Sequence, residues 1–348
     1  MLSGPSDIIL RTMLQNTVKT KTARVIAQYR GRYRVLLNEK ESWAEVTGKI
    51  IYAALSQLDF PVVGDLVDII ELDDDNAVIR DILPRKSLLK RKAAGKDQSQ
   101  PIAANVNTAF IVQALDRDFN LNRFERYFTI VKAGGINPLI VLNKTDLISK
   151  EELEEKISLI KDRFQNIDVV AASAEAKDGI DDLLKALKKG ELHCFVGSSG
   201  VGKSSLINKL LGKEVLKTIE ISASTKKGKH TTTHRELFAL KDGSMVIDNP
   251  GMREVGVGDS LQAVSDVFSD IAELEPACKF TDCTHEHEAG CAVLSALKEG
   301  QLSRDQYSNY IRLKKESAHY AMSGLEKRQK DKRFGKMVKT VKQIKGIK

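Results

Sequence analysis

The chain has few cysteines and no long apolar run, and both shortages limit the classes of protein it can belong to. Four cysteines in 348 residues are too few for the disulfide framework of a small secreted domain. No stretch approaches the roughly 18 apolar residues of a membrane helix. Residues 1–16 lack the charged head, apolar centre and small-residue cleavage site of a secretory signal. We therefore expect a cytoplasmic protein that does not associate with a membrane. We also expect it to be a monomer.

The basic character is concentrated at the C-terminal end. The formal net charge is +8, and residues 327–348 contain ten Lys or Arg and one Asp, a net +9. The other 326 residues therefore sum to −1. Such a tail is either a solvated, flexible end or an electrostatic attachment to nucleic acid, where each cation near a phosphate releases counterions.

Residues 1–90 predict a small β-barrel preceded by an N-terminal extension. Five short strands within about 70 residues suit an OB-like barrel, which is a common platform for single-stranded nucleic acid. A small barrel without a ligand is the alternative. The expected strands are residues 22–29, 33–37, 43–50, 65–70 and 77–83.

Residues 91–256 predict an α/β domain, entered through a polar, basic linker at 84–101. Alternating strands and helices indicate a mostly parallel sheet covered on both faces. The expected strands are residues 108–115, 138–142, 169–172, 192–196 and 245–247, and the expected helices are residues 121–132, 151–164, 180–188 and 204–211. Residues 257–348 predict a helical domain ending in the basic tail, with helices at 261–268, 292–298 and 304–322.

A phosphate-binding loop follows the strand at 192–196. The residues Gly197, Ser198, Ser199, Gly200, Val201, Gly202, Lys203 and Ser204 fit G-x-x-x-x-G-K-[ST], and Ser205 follows. Glycines let backbone N–H groups wrap an anion, and the helix N-terminus behind the loop adds partial positive charge. We expect Lys203 to reach the terminal phosphates and to serve catalysis, and Ser204 to ligate magnesium.

A guanine-reading motif follows the strand at 138–142. Asn143, Lys144, Thr145 and Asp146 fit N-K-x-D, in which the Asp accepts two hydrogen bonds from the guanine edge. Adenine offers no such edge, so ATP is disfavoured. Ser173 and Ala174 end the next strand, where a backbone N–H can meet the guanine oxygen.

Asp248 and Gly251 fit D-x-x-G after the strand at 245–247. In that motif the Asp holds magnesium through water and the Gly N–H contacts the γ-phosphate. A threonine upstream is needed to complete magnesium coordination. We expect Thr232 to do so, with Thr231 and Thr233 left open.

Many GTPases have a water-orienting glutamine directly after D-x-x-G, and this chain has Met252 there. A methionine cannot orient water, so unaided hydrolysis should be slow. His230 is the candidate catalytic residue within the chain, and a surface histidine is the alternative reading. The substitution also leaves open a nucleic-acid tether or chaperone that binds nucleotide without functional turnover.

The order of these motifs is inverted, because the guanine reader precedes the phosphate loop. This order predicts a circularly permuted GTP-binding domain. The γ-phosphate sensor at residues 248–252 then closes the domain and leads directly into the C-terminal module.

Three cysteines and a histidine form a metal-binding pattern in that module. Cys278, Cys283, His285 and Cys291 supply a closed tetrahedral set for one structural zinc ion. His287 is the alternative to His285. The fourth cysteine, Cys194, lies within a predicted strand and is expected in the core.

Taken in order, these motifs resemble the RsgA family of circularly permuted GTPases, with an N-terminal OB-like barrel and a C-terminal C-x4-C-x-H-x5-C module. The resemblance covers essentially the whole chain. It implies a GTPase that small ribosomal subunits stimulate, acting in late maturation of that particle. It also implies GTP and GDP as ligands, and contact with ribosomal RNA through the barrel and zinc domains.

Overall fold

A computed structural model describes residues 20–92, 99–116, 119–176, 178–216, 235–248, 256–258 and 260–322, together with residues 326 and 332. The chain divides into two compact units. The first comprises residues 1–90, 98–119 and 134–254, and the second comprises residues 91–97, 120–133 and 255–348. The segment 120–133 thus groups with the C-terminal part of the chain, from which it is distant in sequence.

Five strands of the first unit close into a barrel. Their hydrogen-bonded order is β1-β2-β3-β5-β4, and β4 pairs back with β1. The β3–β5 pair is parallel, and the other four pairs are antiparallel. Val25, Val35, Val67 and Ile79 point inward and are fully buried. The predicted OB-like barrel is confirmed. The strands are β1 (Lys21–Gln28), β2 (Tyr33–Leu37), β3 (Lys40–Val46), β4 (Leu66–Glu71) and β5 (Asn76–Ile82).

Two sequence predictions near the barrel differ from the structure. The third strand was expected at 43–50, but β3 ends at Val46 and a short helix, α1 (Gly48–Ala53), follows. The alternation of buried and exposed residues in β3 stops there, and α1 buries none of its residues. Within the expected linker at 84–101, β6 (Leu88–Lys92) and β7 (Ser99–Ala104) form a two-stranded sheet. Buried Leu89 and Ile102 give these strands an apolar side.

A second group of strands in the first unit carries the nucleotide motifs. The order is β10-β9-β8-β11-β13-β12. The first five strands in this order run parallel, and β12 is antiparallel to β13. The predicted parallel sheet is therefore confirmed. The strands are β8 (Thr108–Ala114), β9 (Asn137–Asn143), β10 (Val169–Ala172), β11 (Leu192–Val196), β12 (Glu236–Ala239) and β13 (Met245–Asp248).

The chain order of these strands reverses at β11. From β10 at the edge, the chain returns to place β11 between β8 and β13. In open parallel sheets, ligands bind beyond the carboxyl ends of the strands at such a reversal. Phe110 of β8 stacks on Phe195 of β11 with ring centroids 5.1 Å apart. This packing fixes the sheet beneath the phosphate loop.

Helices of this unit cover the sheet. Ser149 caps α3 through a capping box with Glu152, so the helix begins directly after the guanine-reading motif. Gly212 ends α5 in a left-handed conformation (φ 67°), which is the usual helix stop. The helices are α3 (Lys150–Arg163), α4 (Ile180–Ala186) and α5 (Lys203–Leu211).

The second unit is helical, as predicted. Phe268 and Tyr310 meet edge-on at 5.5 Å in its core, and Leu313 and Val293 are fully buried beside them. Its helices are α2 (Leu121–Ala133), α6 (Leu261–Val267), α7 (Ser269–Ala272), α8 (Ala292–Lys298) and α9 (Arg304–Ala321). Among the described helices, none combines the length and apolar character needed to cross a membrane.

Candidate nucleotide site and metal centre

The phosphate loop connects β11 to α5. Gly197 and Gly202 have positive φ angles of 149° and 90°. A Cβ on Gly197 would lie 2.3 Å from the carbonyl oxygen of Val112, so only glycine fits there. Gly202 precedes α5 and supplies no side-chain cap. The first N–H groups of the helix therefore have no capping side chain and can face an anion.

Lys203 lies inside this loop. Its Nζ donates to the carbonyl oxygens of Gly197 at 2.9 Å and Ser198 at 2.6 Å. The side chain is buried, and the loop carbonyls hold it where phosphates would need a counter-charge. Ser204 and Ser205 occupy the first turn of α5 beside it.

Asp248 ends β13 opposite Phe195 of β11. The residue is 3 % exposed, and its Oδ1 has no hydrogen-bond partner among the described residues. Burial raises the pKa of Asp248, and the positive charge of Lys203 acts in the opposite direction. A buried carboxylate oxygen left unpartnered beside a phosphate loop suits a magnesium ion reached through water. The residues present thus fit Mg²⁺.

Asn143 connects the guanine motif to the phosphate loop. It is the last residue of β9 and is 1 % exposed. Its Nδ2 donates to the Val201 carbonyl oxygen at 2.7 Å. A Cβ on Gly202 would lie 2.2 Å from the same Nδ2, so the two motifs are in direct contact. Two motifs separated by 58 residues thus form one site.

The remaining guanine residues also come together. The Ser173 hydroxyl hydrogen-bonds to Asp146 Oδ1, and the Ser173 N–H donates to the Asp178 carbonyl at 2.8 Å. Ala174 follows, buried beneath the turn. The β9–β10 pairing, with Ala172 opposite Asn143, brings these two strand ends together.

Lys144 has a partner that the motif did not predict. It is left-handed (φ 65°) and precedes a 3-10 turn, and its Nζ donates to Asp116 Oδ2 at 2.9 Å. Asp116 follows the end of β8, the neighbour of β9. Its place at the carboxyl edge of the sheet is the only sequence signal that could have identified it.

The four predicted metal ligands cluster in the second unit. Their donor atoms all lie within 4.8 Å of one another. His285 Nδ1 is 3.6 Å from the Cys278 sulfur and 3.4 Å from the Cys291 sulfur. His287 is exposed and outside the cluster, so the geometry favours His285.

The thiols of Cys278 and Cys291 lie at the N-terminus of α8. Burial acts to raise the pKa of Cys278, but backbone N–H groups of Ala292 and Val293 hold it below its ordinary value. Leu294 N–H donates to the Cys291 sulfur at 3.4 Å. Helix-end amides stabilise thiolates, which is the form that binds metal. This donor set fits one tetrahedral zinc ion.

A carboxylate orients the histidine of this cluster. Glu275 Oε1 lies 3.1 Å from His285 Nε2 and accepts from Lys314 Nζ at 2.9 Å. The Tyr310 hydroxyl donates to the same oxygen. Metal-binding histidines commonly donate their second ring nitrogen to such a carboxylate. Sequence reasoning missed Glu275, although it lies three residues before Cys278.

Several predicted residues lie outside the described part of the chain. These are His230, Thr231, Thr232, Thr233, Gly251 and Met252, and with them nearly all of the basic tail at 327–348. Their roles stay predictions. Cys194 lies in β11, fully buried as expected, and burial raises the pKa of its thiol to about 12.

Solved structures match this fold. YjeQ from Thermotoga maritima aligns with 86 % of this chain and 99 % of its own at a TM-score of 0.63 and 24 % identity. YloQ, described as a circularly permuted GTPase, aligns with 87 % of this chain and 97 % of its own at a TM-score of 0.62 and 24 % identity. The permuted fold is therefore confirmed.

Sequence comparison identifies the family. Residues 82–258 match the model of the RsgA GTPase. Small ribosomal subunit biogenesis GTPase RsgA 2 of Lactiplantibacillus plantarum is 41 % identical over 92 % of this chain and 91 % of its own. RsgA 1 of Bacteroides thetaiotaomicron, with the same description, is 39 % identical over 99 % of this chain and 97 % of its own. The chain belongs to the RsgA family of GTPases, enzymes that hydrolyse GTP.

Proposed function

We propose that this chain hydrolyses GTP to GDP and phosphate while bound to the small ribosomal subunit, late in the maturation of that particle. The choice of the small subunit as partner is supported by the names of the relatives, which describe small ribosomal subunit biogenesis GTPases. The hydrogen bond from Asn143 to Val201 carries the proposal for this chain's own site. It joins the guanine-reading motif to the phosphate loop.

In this proposal each half of the site has its own task. Asp146 accepts from the guanine edge, Lys144 lies over the ring, and Ser173 and Ala174 close the base pocket. The loop amides and Lys203 bind the phosphates. The residues that bind GTP are Asn143, Lys144, Asp146, Ser173, Ala174, Gly197, Ser198, Ser199, Gly200, Val201, Gly202, Lys203, Ser204, Ser205, Asp248 and Gly251.

Magnesium would be held by Ser204, Thr232 and, through water, Asp248. When bound, the ion neutralises charge on the β- and γ-phosphates. Lys203 and the N–H groups of the loop stabilise the remaining negative charge as it develops. His230 orients the attacking water in place of the absent glutamine, and Thr232 senses the γ-phosphate.

We further propose that Cys278, Cys283, His285 and Cys291 bind one structural zinc ion. The loop between Cys278 and Cys291 is rich in polar residues and has little core of its own, so the metal would organise it. Glu275 would keep the His285 ring in its binding orientation.

The barrel offers a surface suited to ribosomal RNA. The guanidinium carbons of Arg32 and Arg34 each lie 5.0 Å from the centre of the Trp43 ring, and Tyr29 lies 5.2 Å from it. The side chains of Arg32 and Arg34 are 47 % and 30 % exposed. Trp43 and Tyr29 are half-buried, and Arg32 and Arg34 also pair with Glu45 and Glu41. Partly exposed aromatic rings and arginine planes are groups on which unpaired bases stack. We propose that this surface contacts RNA, and that the protein works as a cytoplasmic monomer.

The proposal is tested by binding of purified small subunits in the presence of GDP or a non-hydrolysable GTP analogue. Tighter binding with the analogue supports a nucleotide-controlled assembly factor. Equal affinity with both nucleotides contradicts it and favours an RNA tether. Competition of GTP and ATP for the empty site tests the choice of base, and we expect only GTP to compete.

A further inference from the structure

One carboxylate in the second unit contacts two segments that lead to the nucleotide motifs. Glu316 of α9 receives both terminal nitrogens of Arg126, with Nη1 to Oε1 at 2.8 Å and Nη2 to Oε2 at 2.7 Å. The backbone N–H of Val257 also donates to Oε1, at 3.1 Å. A paired, two-bond contact between Arg and carboxylate fixes direction as well as distance.

The position of Val257 gives this contact its significance. Asp248 ends β13, and only residues 249–256 separate it from Val257. Gly256 and Val257 are thus the first described residues after Asp248, and both belong to the second unit. The Val257 side chain is 4 % exposed in the core of that unit.

The same face of α9 also seats the residue before Val257. A Cβ on Gly256 would lie 2.8 Å from the Tyr320 hydroxyl. Tyr320 follows Glu316 by four residues, so both lie on one side of the helix. Two consecutive residues of the segment are thus held by one helix face.

Arg126 brings in the other nucleotide motif. It lies on α2, which precedes β9, and β9 ends at the guanine-reading Asn143. Helix α2 is also attached to α9 by Asn309, whose Nδ2 donates to Glu125 and to the Asn122 carbonyl. These contacts hold α2 and α9 together independently of Glu316. The distinct contribution of Glu316 is therefore its bond to Val257.

Helix α9 continues from this point to the metal centre. Tyr310 and Lys314 contact Glu275, which contacts His285. Tyr310 and Glu316 are six residues apart, about 9 Å along a helix at 1.5 Å per residue. One helix thus carries both the sensor anchor and the partners of the metal-ligand network.

We infer that Glu316 is a positioning residue of the GTPase, which fixes the far end of the γ-phosphate-sensing segment through the Val257 N–H. This inference rests on the proposed function. Glu316 is not one of the proposed nucleotide-binding residues, and its effect on the site would pass along the chain between Val257 and Asp248. Loss of its acceptor lowers kcat and leaves the KM for GTP unchanged.

Three variants separate this role from that of a simple ion pair. Glu316→Ala removes the ion pair and the acceptor. Glu316→Gln keeps an oxygen for Val257 and removes the charge. Exchange of the partners, Arg126→Glu with Glu316→Arg, restores an ion pair between α2 and α9 but leaves Val257 N–H without an acceptor.

Each variant is compared with the wild type in full-length form, with zinc content and circular dichroism confirming the fold. We expect kcat to fall about 10-fold in Glu316→Ala and in the exchange variant, as for misplacement of a group outside the chemistry. Glu316→Gln should stay within about 3-fold of the wild type. The Tm should instead depend on whether the ion pair between α2 and α9 is present. It should fall in Glu316→Gln and recover in the exchange variant.

Recovery of kcat by the exchange variant, or equal kcat in all variants, would overturn the inference and leave GTP hydrolysis by the wild type untouched. Absence of hydrolysis by the wild type, with or without small subunits, refutes the proposed function and the inference with it. Hydrogen exchange gives a second readout, because analogue binding should slow exchange at Val257 in the wild type and not in Glu316→Ala.

Discussion

Asn143 at the end of β9 donates a 2.7 Å hydrogen bond to the carbonyl oxygen of Val201 in the phosphate loop. The bond is buried. It connects the guanine-reading motif, which comes first in the chain, to the phosphate loop, which comes second. It shows that permutation changes the order of the motifs and preserves their contact.

The first prediction concerns this bond. Asn143→Ala leaves the Val201 carbonyl without its donor, which costs about 1–3 kcal/mol for a buried group. We expect affinity for both GTP and GDP to fall about 5- to 150-fold. Titration with a fluorescent GDP analogue measures it. Asn137→Ala, at the exposed start of the same strand, is the control and should leave affinity unchanged.

Gly202→Ala tests the space between the two motifs. The new Cβ would lie 2.2 Å from Asn143 Nδ2, in a backbone conformation with φ at 90°. We expect nucleotide binding to be lost. Gly212→Ala is the matched control at the other end of α5, because φ is 67° there and nothing lies within 4 Å. It should lower the free energy of unfolding by about 1 kcal/mol and preserve binding. Equal losses of affinity in both variants would mean that backbone strain alone is responsible.

Asp248 should make the empty protein less stable as pH rises. Burial raises the pKa of Asp248 above its ordinary 3.8, although the charge of Lys203 opposes the shift. Between the unfolded and folded pKa values the folded chain binds more protons, so the free energy of unfolding falls as pH rises through that window. Asp248→Asn removes the buried charge. Without nucleotide and magnesium, this variant should be more stable than the wild type at pH 7, and it should bind GTP poorly.

Denaturant titrations from pH 4 to pH 7 measure this difference. Asp242→Asn is the control of opposite sign, because a hydrogen bond from the Ser244 side chain, with one from its backbone, lowers the pKa of that exposed carboxyl. Its loss should make the protein less stable above the ordinary pKa. An Asp248→Asn protein less stable than the wild type at pH 7 would contradict the account of an unpartnered buried carboxylate.

The metal centre makes a stoichiometric prediction. The wild type should contain one zinc ion, and chelation should unfold the loop between Cys278 and Cys291. His285→Ala should lower zinc content, whereas His287→Ala, outside the cluster, should retain it. Glu275→Ala should keep the ligands and weaken zinc binding about 10- to 100-fold through the loss of ring orientation. Elemental analysis and competition with a chromogenic chelator measure both effects.

Trp43 provides a direct probe of the proposed RNA surface, since it is the only tryptophan. Its fluorescence should change when single-stranded RNA or small subunits bind. Trp43→Ala should weaken RNA binding by about 1–3 kcal/mol, and Trp43→Phe, which retains a stacking ring, should weaken it less. Unchanged affinity in Trp43→Ala would remove this surface from the proposal.

Local patterns predicted much of this molecule. The buried runs at 108–115 and 138–142 became β8 and β9, and the motifs after β9 and β11 meet as their positions at strand ends require. The cysteine spacing identified the cluster in the same way. Each of these signals is contained in a short segment of sequence, so the sequence of one chain is sufficient to predict these elements.

The differences arise where a distant partner decides the structure. Glu125 of α2 finds its buried partner in Asn309, 184 residues away, so no local pattern could group α2 with the C-terminal unit. Val46 ends a strand that sequence extended to residue 50, because the pairing of β3 with the distant strand β5 ends at the pair Val46–Ile79. Glu275 and Glu316 form no motif, and only contacts in the folded chain identify them.

The rate of GTP hydrolysis with and without purified small ribosomal subunits tests the central claim most directly. We predict slow turnover by the protein alone and strong stimulation by the particle, abolished by Ser204→Ala, which removes the proposed magnesium ligand. Turnover that no small subunit accelerates, or stimulation that persists in Ser204→Ala, would contradict a nucleotide-controlled factor in small-subunit maturation.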